Sequence, residues 1–168
     1  MSSVFVSIIM GSDSDLPVMQ SCIDTLTKLE IACEVKISSA HRTPDITRHY
    51  IADAEQRGCQ VFIGAAGLAA HLAGTIAAHT LKPVIGVPMD GGPLKGMDAL
   101  LSTVQMPGGI PVASVAIGKA GAKNAAYLAA QMLALSDPSL EKRIIDERED
   151  NAKAVVAKDA QVQQMLAK

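Results

Sequence analysis

Val4-Phe5-Val6-Ser7-Ile8-Ile9-Met10, followed by Gly11-Ser12-Asp13-Ser14-Asp15, decides the fold class. The first seven residues are apolar almost throughout and rich in β-branched side chains. That is the pattern of a strand covered on both faces, as strands of parallel sheets are. Gly11 ends the run, and Ser12 to Asp15 are residue types that open helices. From 16 to 29, Val18, Met19, Cys22, Ile23, Leu26 and Leu29 return at helical spacing. A buried strand passing through a small polar turn into an amphipathic helix is the first half of a β-α-β unit.

The unit recurs. Ile31-Ala32-Cys33-Glu34-Val35-Lys36-Ile37 alternates as a second strand, and a helix over 44–57 follows, stopped by Gly58. Val61-Phe62-Ile63 is a third strand, and Gly64-Ala65-Ala66-Gly67 opens an Ala-rich helix reaching His79. Val84-Ile85-Gly86-Val87 is a fourth strand between Pro83 and Pro88, followed by an irregular segment, 89–96, and a short helix near 97–105. A fifth strand over 112–117 and a helix over 118–135 complete the series, and Asp137-Pro138 starts a charged final helix. Such alternation gives a parallel sheet with right-handed crossovers and helices on both faces. The expectation is a three-layer, flavodoxin-like α/β sandwich, strand order 2-1-3-4-5, with an extended C-terminal helix.

The 168 residues read as a single domain, with 1–135 as its core and 136–168 as an appended helix. Apolar positions on that helix (Leu140, Ile144, Ile145, Val155, Val156, Val162, Met165, Leu166) call for a partner, and the Ala-rich helices permit close approach. Both point to a homo-oligomer. Hydrophobic residues at 49% and charged residues at 19% exclude general disorder, and a net charge of −2 argues against non-specific nucleic-acid binding. Cys22, Cys33 and Cys59 fall into no C-x-x-C spacing and read as small buried hydrophobes of a reducing cytosol. Met1-Ser2-Ser3-Val4 carries no basic n-region, and no uninterrupted apolar run is long enough to span a bilayer. The expectation is a soluble cytoplasmic protein without membrane contact.

In the 2-1-3-4-5 order the chain reverses between strands 1 and 3, so the loops after strands 1, 2 and 3 converge on one crevice. The first, Gly11 to Asp15, sets Ser12 and Ser14 at a helix N-terminus that favours an anion. Asp15 suits ribose hydroxyls, the alternative being a helix N-cap. The second, Ser38-Ser39-Ala40-His41-Arg42-Thr43-Pro44, offers an imidazole able to give and take a proton near neutrality. Beside it, Arg42 offers a fork suited to phosphate, or else a salt bridge to Asp45. Thr43 as N-cap and Pro44 as first helical residue are the structural alternative for this loop. The third loop, Gly64 to His71, lets backbone approach a ligand closely. His71 lies one turn into the helix, as a site group or a packed one, and His49 and His79 read as structural. No metal-ligand spacing, Walker A or G-x-S-x-G elbow occurs. The chemistry left is that of an imidazole and positioned polar groups on a small, phosphorylated molecule. A flavin module is disfavoured by an aromatic content of 2%, and a receiver domain by the lack of an aspartate ending strand 3.

Four separated motifs resemble the class I N5-carboxyaminoimidazole ribonucleotide mutase family of de novo purine biosynthesis, also described as the catalytic subunit of phosphoribosylaminoimidazole carboxylase. They are Met10-Gly11-Ser12-Asp13-Ser14-Asp15, Ser39-Ala40-His41-Arg42-Thr43-Pro44, Ala69-Ala70-His71-Leu72, and Gln105-Met106-Pro107-Gly108-Gly109-Ile110-Pro111-Val112. Ala116-Ile117-Gly118-Lys119-Ala120-Gly121 and Asn124-Ala125-Ala126 match as well. The resemblance implies a homo-octamer that moves a carboxylate from N5 to C4 of an aminoimidazole ribonucleotide, with no cofactor or metal. It implies His41 as general acid/base and Ser12, Asp15 and Arg42 as substrate contacts, with Ser39, Ala66, Gly67, His71 and Leu72 lining the site. Where the family often reads Gly-Gly-Ala-Ala-His-Leu-Pro-Gly, this chain has Gly67-Leu68-Ala69-Ala70-His71-Leu72-Ala73-Gly74, which leaves the shape of that loop open. The alternatives are a class II-type carboxylase using carbon dioxide directly and a non-enzymatic flavodoxin-like binding module. The third loop lacks the Ser-Asn pair expected of class II, which favours the mutase.

Overall fold

The computed structural model describes residues 4–167. Five parallel strands form one sheet in the order β2-β1-β3-β4-β5. They are β1 (Phe5–Met10), β2 (Cys33–Ile37), β3 (Cys59–Ala66), β4 (Val84–Pro88) and β5 (Ala113–Ser114). The helices are α1 (Leu16–Lys28), α2 (Pro44–Arg57), α3 (Leu72–Ala77), α4 (Met97–Val104), α5 (Gly118–Ala134) and α6 (Pro138–Leu166). The described residues fall into two compact units, with the boundary at Ala129/Ala130.

In the first unit every residue of β1 is buried, because β1 pairs on both edges and is covered on both faces. Phe5 and Ile9 point to one face, into a cluster with Tyr50, Ile51 and Ala54 of α2, Phe62 of β3, and Leu72, Ala73 and Ile76 of α3. Ser7 points the same way and keeps its hydroxyl satisfied 2.9 Å from Tyr50 Oη. Val6, Ile8 and Met10 alternate to the other face, and α1 buries Met19, Cys22 and Leu26. α2 has the bounds its sequence gives, with Pro44 as first residue and Gly58 as a left-handed cap at φ 108°.

Gly64 of β3 and Gly86 of β4 are direct register partners. A Cβ on Gly64 would lie 3.1 Å from Ala73 Cα and 2.9 Å from Ile76 Cδ1. One on Gly86 would lie 3.2 Å from Ala73 Cβ and 2.3 Å from Thr103 Cγ2. α3 therefore rests its backbone against bare sheet, with Ala73 over a glycine pair.

The structure departs from the sequence reading in that region. Gly64-Ala65-Ala66 does not open a helix: these residues continue β3, hydrogen-bonded into the sheet between β1 and β4. α3 begins only at Leu72 and ends at Ala77, so His71 stands at the residue before the helix rather than one turn inside it. The alanine run satisfies either conformation, and pairing on two edges decides for the strand. β5 is cut to Ala113–Ser114, since Pro111 supplies no ladder donor upstream and β5 is an edge strand. A 3-10 turn, Asp13–Asp15, precedes α1. Burial raises the thiol of Cys22 to about 12 and that of Cys59 to about 11, so neither is a thiolate near neutral pH.

In the second unit Asp137 caps α6, its carboxylate accepting from the Ser139 and Leu140 N–H groups at 3.0 and 3.1 Å. Leu140 and Ile144 are buried within the chain and need no outside partner, contrary to the sequence reading. Ile145, Val155, Val156, Val162, Met165 and Leu166 are exposed. Among the described residues no helix is long and apolar enough to cross a membrane.

The glycine pair yields a stability prediction. Gly86→Ala should lower unfolding free energy by about 1–3 kcal/mol, since the added methyl would overlap Thr103, which is buried and hydrogen-bonded to the Ala99 carbonyl. Urea denaturation should show an earlier midpoint at unchanged slope.

Candidate active site

The carboxyl ends of β1 to β4 surround a cavity of about 710 Å³. Gly11, Ser12, Ser14 and Asp15 line it from the loop after β1, and Ser39, Ala40, His41 and Arg42 from the loop after β2. Ala66, Gly67, Leu68, Ala69, His71 and Leu72 contribute from β3 and its loop. All nine residues singled out in the sequence (Ser12, Asp15, Ser39, His41, Arg42, Ala66, Gly67, His71 and Leu72) thus border one space. Leu72 does so with a side chain almost wholly in the core.

Hydroxyls hold the second loop rigid. Ser38 is buried, its Oγ 2.7 Å from Thr47 Oγ1 and 3.3 Å from Thr43 Oγ1. The Ser39 N–H donates to Thr43 Oγ1 at 2.9 Å, and the Arg42 N–H donates to Ser39 Oγ at 3.1 Å. Thr43 sits at the N-cap position of α2, yet its side chain makes no capping bond there; it braces the loop instead. Arg42 does not pair with Asp45, whose partner is Arg48. Its Nη2 reaches the Gly11 carbonyl at 3.1 Å and ties the second loop to the first.

In the first loop Ser12 Oγ accepts from the Ser14 N–H and hydroxyl at 3.3 and 3.0 Å, capping the 3-10 turn. Asp15 occupies the N-cap position of α1 without a side-chain capping bond. Burial raises its carboxyl above the usual range, the Ser12 backbone bond opposing this and the Asp13 charge adding to it. A desolvated carboxyl on a cavity wall, with no capping bond, is available to a ligand.

His41 and His71 meet across the second and third loops. His41 Nε2 lies 2.7 Å from His71 Nδ1, with ring centroids 4.8 Å apart and planes at 74°. At that distance one hydrogen sits between the two nitrogens, so the contact fixes one tautomer relative to the other.

The fourth loop was missed. Met89, Asp90, Gly91 and Gly92, read as an irregular segment, form a further wall. The Met89 N–H donates to the Ala66 carbonyl at 2.9 Å. The signal was present, since the rule that sites lie at strand carboxyl ends applies to β4 as well. Hydroxyls, a carboxyl and a guanidinium thus come from the first two loops, while the other two bring Ala66, Leu68, Leu72 and Met89 together with His71 and Asp90. Among the described residues no group of three or more His, Cys, Asp or Glu side chains could hold a metal ion.

Comparison with known proteins agrees with this arrangement. The sequence model described as AIR carboxylase matches residues 5–154, from the first residue of β1 into α6. An N5-carboxyaminoimidazole ribonucleotide mutase of Mycobacterium tuberculosis is 50% identical over 163 residues, 97% of this chain and 92% of that protein. One of Bacillus subtilis is 53% identical over 151 residues, 90% and 93% of the two chains. A crystal structure of Treponema denticola PurE superimposes with a TM-score of 0.84 at 28% identity, covering 94% of this chain and 98% of that one. Half the residues agree with the first two proteins along nearly the whole length, and the chain belongs to the AIR carboxylase family.

Proposed function

We propose that this protein is an N5-carboxyaminoimidazole ribonucleotide mutase of purine biosynthesis, and that His41 is its single general acid/base. The observation that carries the chemical assignment is the position of His41. Its ring stands on a braced loop, 2.7 Å from His71, at the border of the cavity. The curated names of the relatives support the substrate.

The polar wall suits a ribonucleotide. Arg42 and the Ser12/Ser14 turn address the phosphate, and Asp15 accepts from ribose hydroxyls. Ser39, Ala66, Gly67, His71 and Leu72 line the base and its carboxylate. Protonated His41 gives its proton to N5 as the C–N bond breaks, releasing carbon dioxide beside the aminoimidazole. C4 then attacks the carbon dioxide, and neutral His41 takes the C4 proton, restoring the ring. The proton lent in the first step returns in the second, so the chemistry needs no cofactor. His71 holds the His41 ring and its tautomer between the steps. Confinement of the two fragments replaces a bimolecular encounter by an effectively unimolecular one.

The finer readings belong here too. The chain acts as one domain in a homo-octamer in the cytoplasm, with the C-terminal helix packing in the assembly. Exposed Met97, Leu101 and Val104 on one face of α4, and Val155, Val156, Val162 and Met165 on α6, support an oligomer. The size rests on the family resemblance.

Carbon-13 NMR following a labelled carboxyl group from nitrogen to carbon tests the reaction. Wild type should convert N5-carboxyaminoimidazole ribonucleotide without added bicarbonate, whereas a class II-type carboxylase would require carbon dioxide and the free amine. His41→Asn should reduce turnover by roughly 10²–10⁴-fold or more while nucleotide binding stays measurable. Undiminished turnover in that variant removes His41 from its role.

Asp15 gives a pH-dependent prediction. Its carboxyl is raised by burial, so ionisation opposes folding. That penalty is absent below the ordinary carboxylate range and develops as pH rises through the raised value. Asp15→Asn should therefore melt above wild type near neutral pH, with the gap closing in acid. The same variant should bind nucleotide roughly 10- to 100-fold more weakly, the loss of charged hydrogen bonds. A variant that melts lower at every pH would show the carboxylate to be a structural brace instead.

A further inference from the structure

α6 spans Pro138–Leu166, and every described residue from Asn151 on is exposed. A lone stretch of that length is marginal as a helix in water, where most helical stability comes from packing. At the base of the same helix, Ile144 and Ile145 line a groove of about 380 Å³ with Ala134 and Leu135, and Glu141 and Arg148 stand beside them. Leu135 is 90% exposed and Ile145 49%. The second unit thus holds both an open apolar groove and an uncovered helix end.

One face of α6 connects the two. Glu141, Ile145, Arg148 and Ala152 run out of the groove at alternating steps of four and three residues. Val155, Asp159, Val162 and Leu166 continue the alternation to the end of the helix. A mean step of 3.5 residues is the seam of a two-helix coiled coil. The ion pairs Lys142–Asp146 and Lys153–Asp150 lie off this seam. On it stand two opposite charges, Arg148 and Asp159.

Those charges decide how a second copy lies. In a parallel pair Arg148 would face Arg148 and Asp159 would face Asp159, like charges held together where water is partly excluded. In an antiparallel pair with Ala152 of each copy opposite Val155 of the other, Arg148 faces Asp159, twice by symmetry. Ile145 then faces Val162, and Leu166 comes to Glu141 at the groove's edge. Sliding one helix by a heptad destroys the match. One direction sets Glu141 against Asp159, and the other sets Arg148 against Leu166. A surface that complements itself about a two-fold axis is what an isologous interface requires. We propose that α6 pairs antiparallel with α6 of a second copy, Arg148 against Asp159, and that the groove at the base of each helix receives Val162 and Leu166 from the tip of the other. Orientation and register go beyond the general expectation of an oligomer, and neither rests on the reaction assigned to the cavity.

The test uses the full-length protein carrying Ala152→Cys with Val155→Cys, mildly oxidised and run on a non-reducing denaturing gel. The two positions face each other across copies, so a band at twice the chain mass should dominate and vanish on reduction. Ala152→Cys with Val162→Cys, which the register holds apart, should give no more of that band than the unsubstituted protein with its three cysteines. Adding Arg148→Asp to the first variant should cut crosslinking several-fold, because two carboxylates then meet in each layer. Adding Asp159→Arg as well should restore it. All the substituted positions are exposed, so the fold of the chain does not depend on them. No dimer band from the 152/155 variant, equal crosslinking of the 152/162 variant, or a charge reversal without effect overturns the pairing. α6 packed on any other part of a second copy would give one of those results.

Discussion

The site depends on how closely α3 can approach the sheet. Gly64 and Gly86 stand side by side in adjacent strands, and Ala73 lies over both. α3 has six residues, well short of the ~12–15 at which a helix is even marginally stable alone in water, so packing and not propensity places it. Since His71 immediately precedes α3, the depth to which Ala73 settles on the glycines sets where that imidazole stands. A side chain at either glycine would lift the helix and lengthen the 2.7 Å contact to His41. The contact between His41 and His71 is thus an outcome of sheet packing several residues away.

The two halves of the cavity are held by different forces. Short hydroxyl bonds and the Arg42–Gly11 bridge fix the first two loops, whose polar groups line the cavity. Such preorganisation lowers the entropy a ligand must surrender on binding. The third and fourth loops depend on shape, with one backbone bond between Met89 and Ala66 and side chains fitted over glycines. Polar groups are directional and suit a nucleotide that must lie in one orientation. Apolar contacts are not, and they suit a wall that turns water away.

How much of this could be read in the sequence follows from where local and non-local signals agree. β1, the bounds of α2 and the strand order were legible because periodicity, Pro44 and Gly58 all point one way. The places of Ser12, Asp15, His41 and Arg42 on the cavity wall were legible because each lies in a loop between two unambiguous elements. The Ala-rich stretch from Gly64 to His79 was not, since alanine fits strand and helix alike and only pairing with β1 and β4 chooses. His71 was misplaced with it, by about one turn. The fourth wall escaped because Met89 to Gly92 carries one titratable group, and its role comes from what rests on it rather than from its own chemistry.

Leu68 and Ala73 make the same point from the side of sequence change. Each stands where the family pattern has a residue with special backbone properties, a glycine and a proline respectively. Ala73 gives up the fixed φ of proline, yet its small side chain seats on two glycines and holds α3 by packing instead. Leu68 takes the left-handed conformation without glycine's freedom, at a cost of roughly 1–2 kcal/mol. That cost is tolerated because a leucine tip can rest on Gly92, where a glycine would leave the space empty. Intrinsic backbone preference has been exchanged for contacts with neighbouring loops. The third and fourth loops are therefore joined twice, by the Met89–Ala66 hydrogen bond and by Leu68 resting on Gly92.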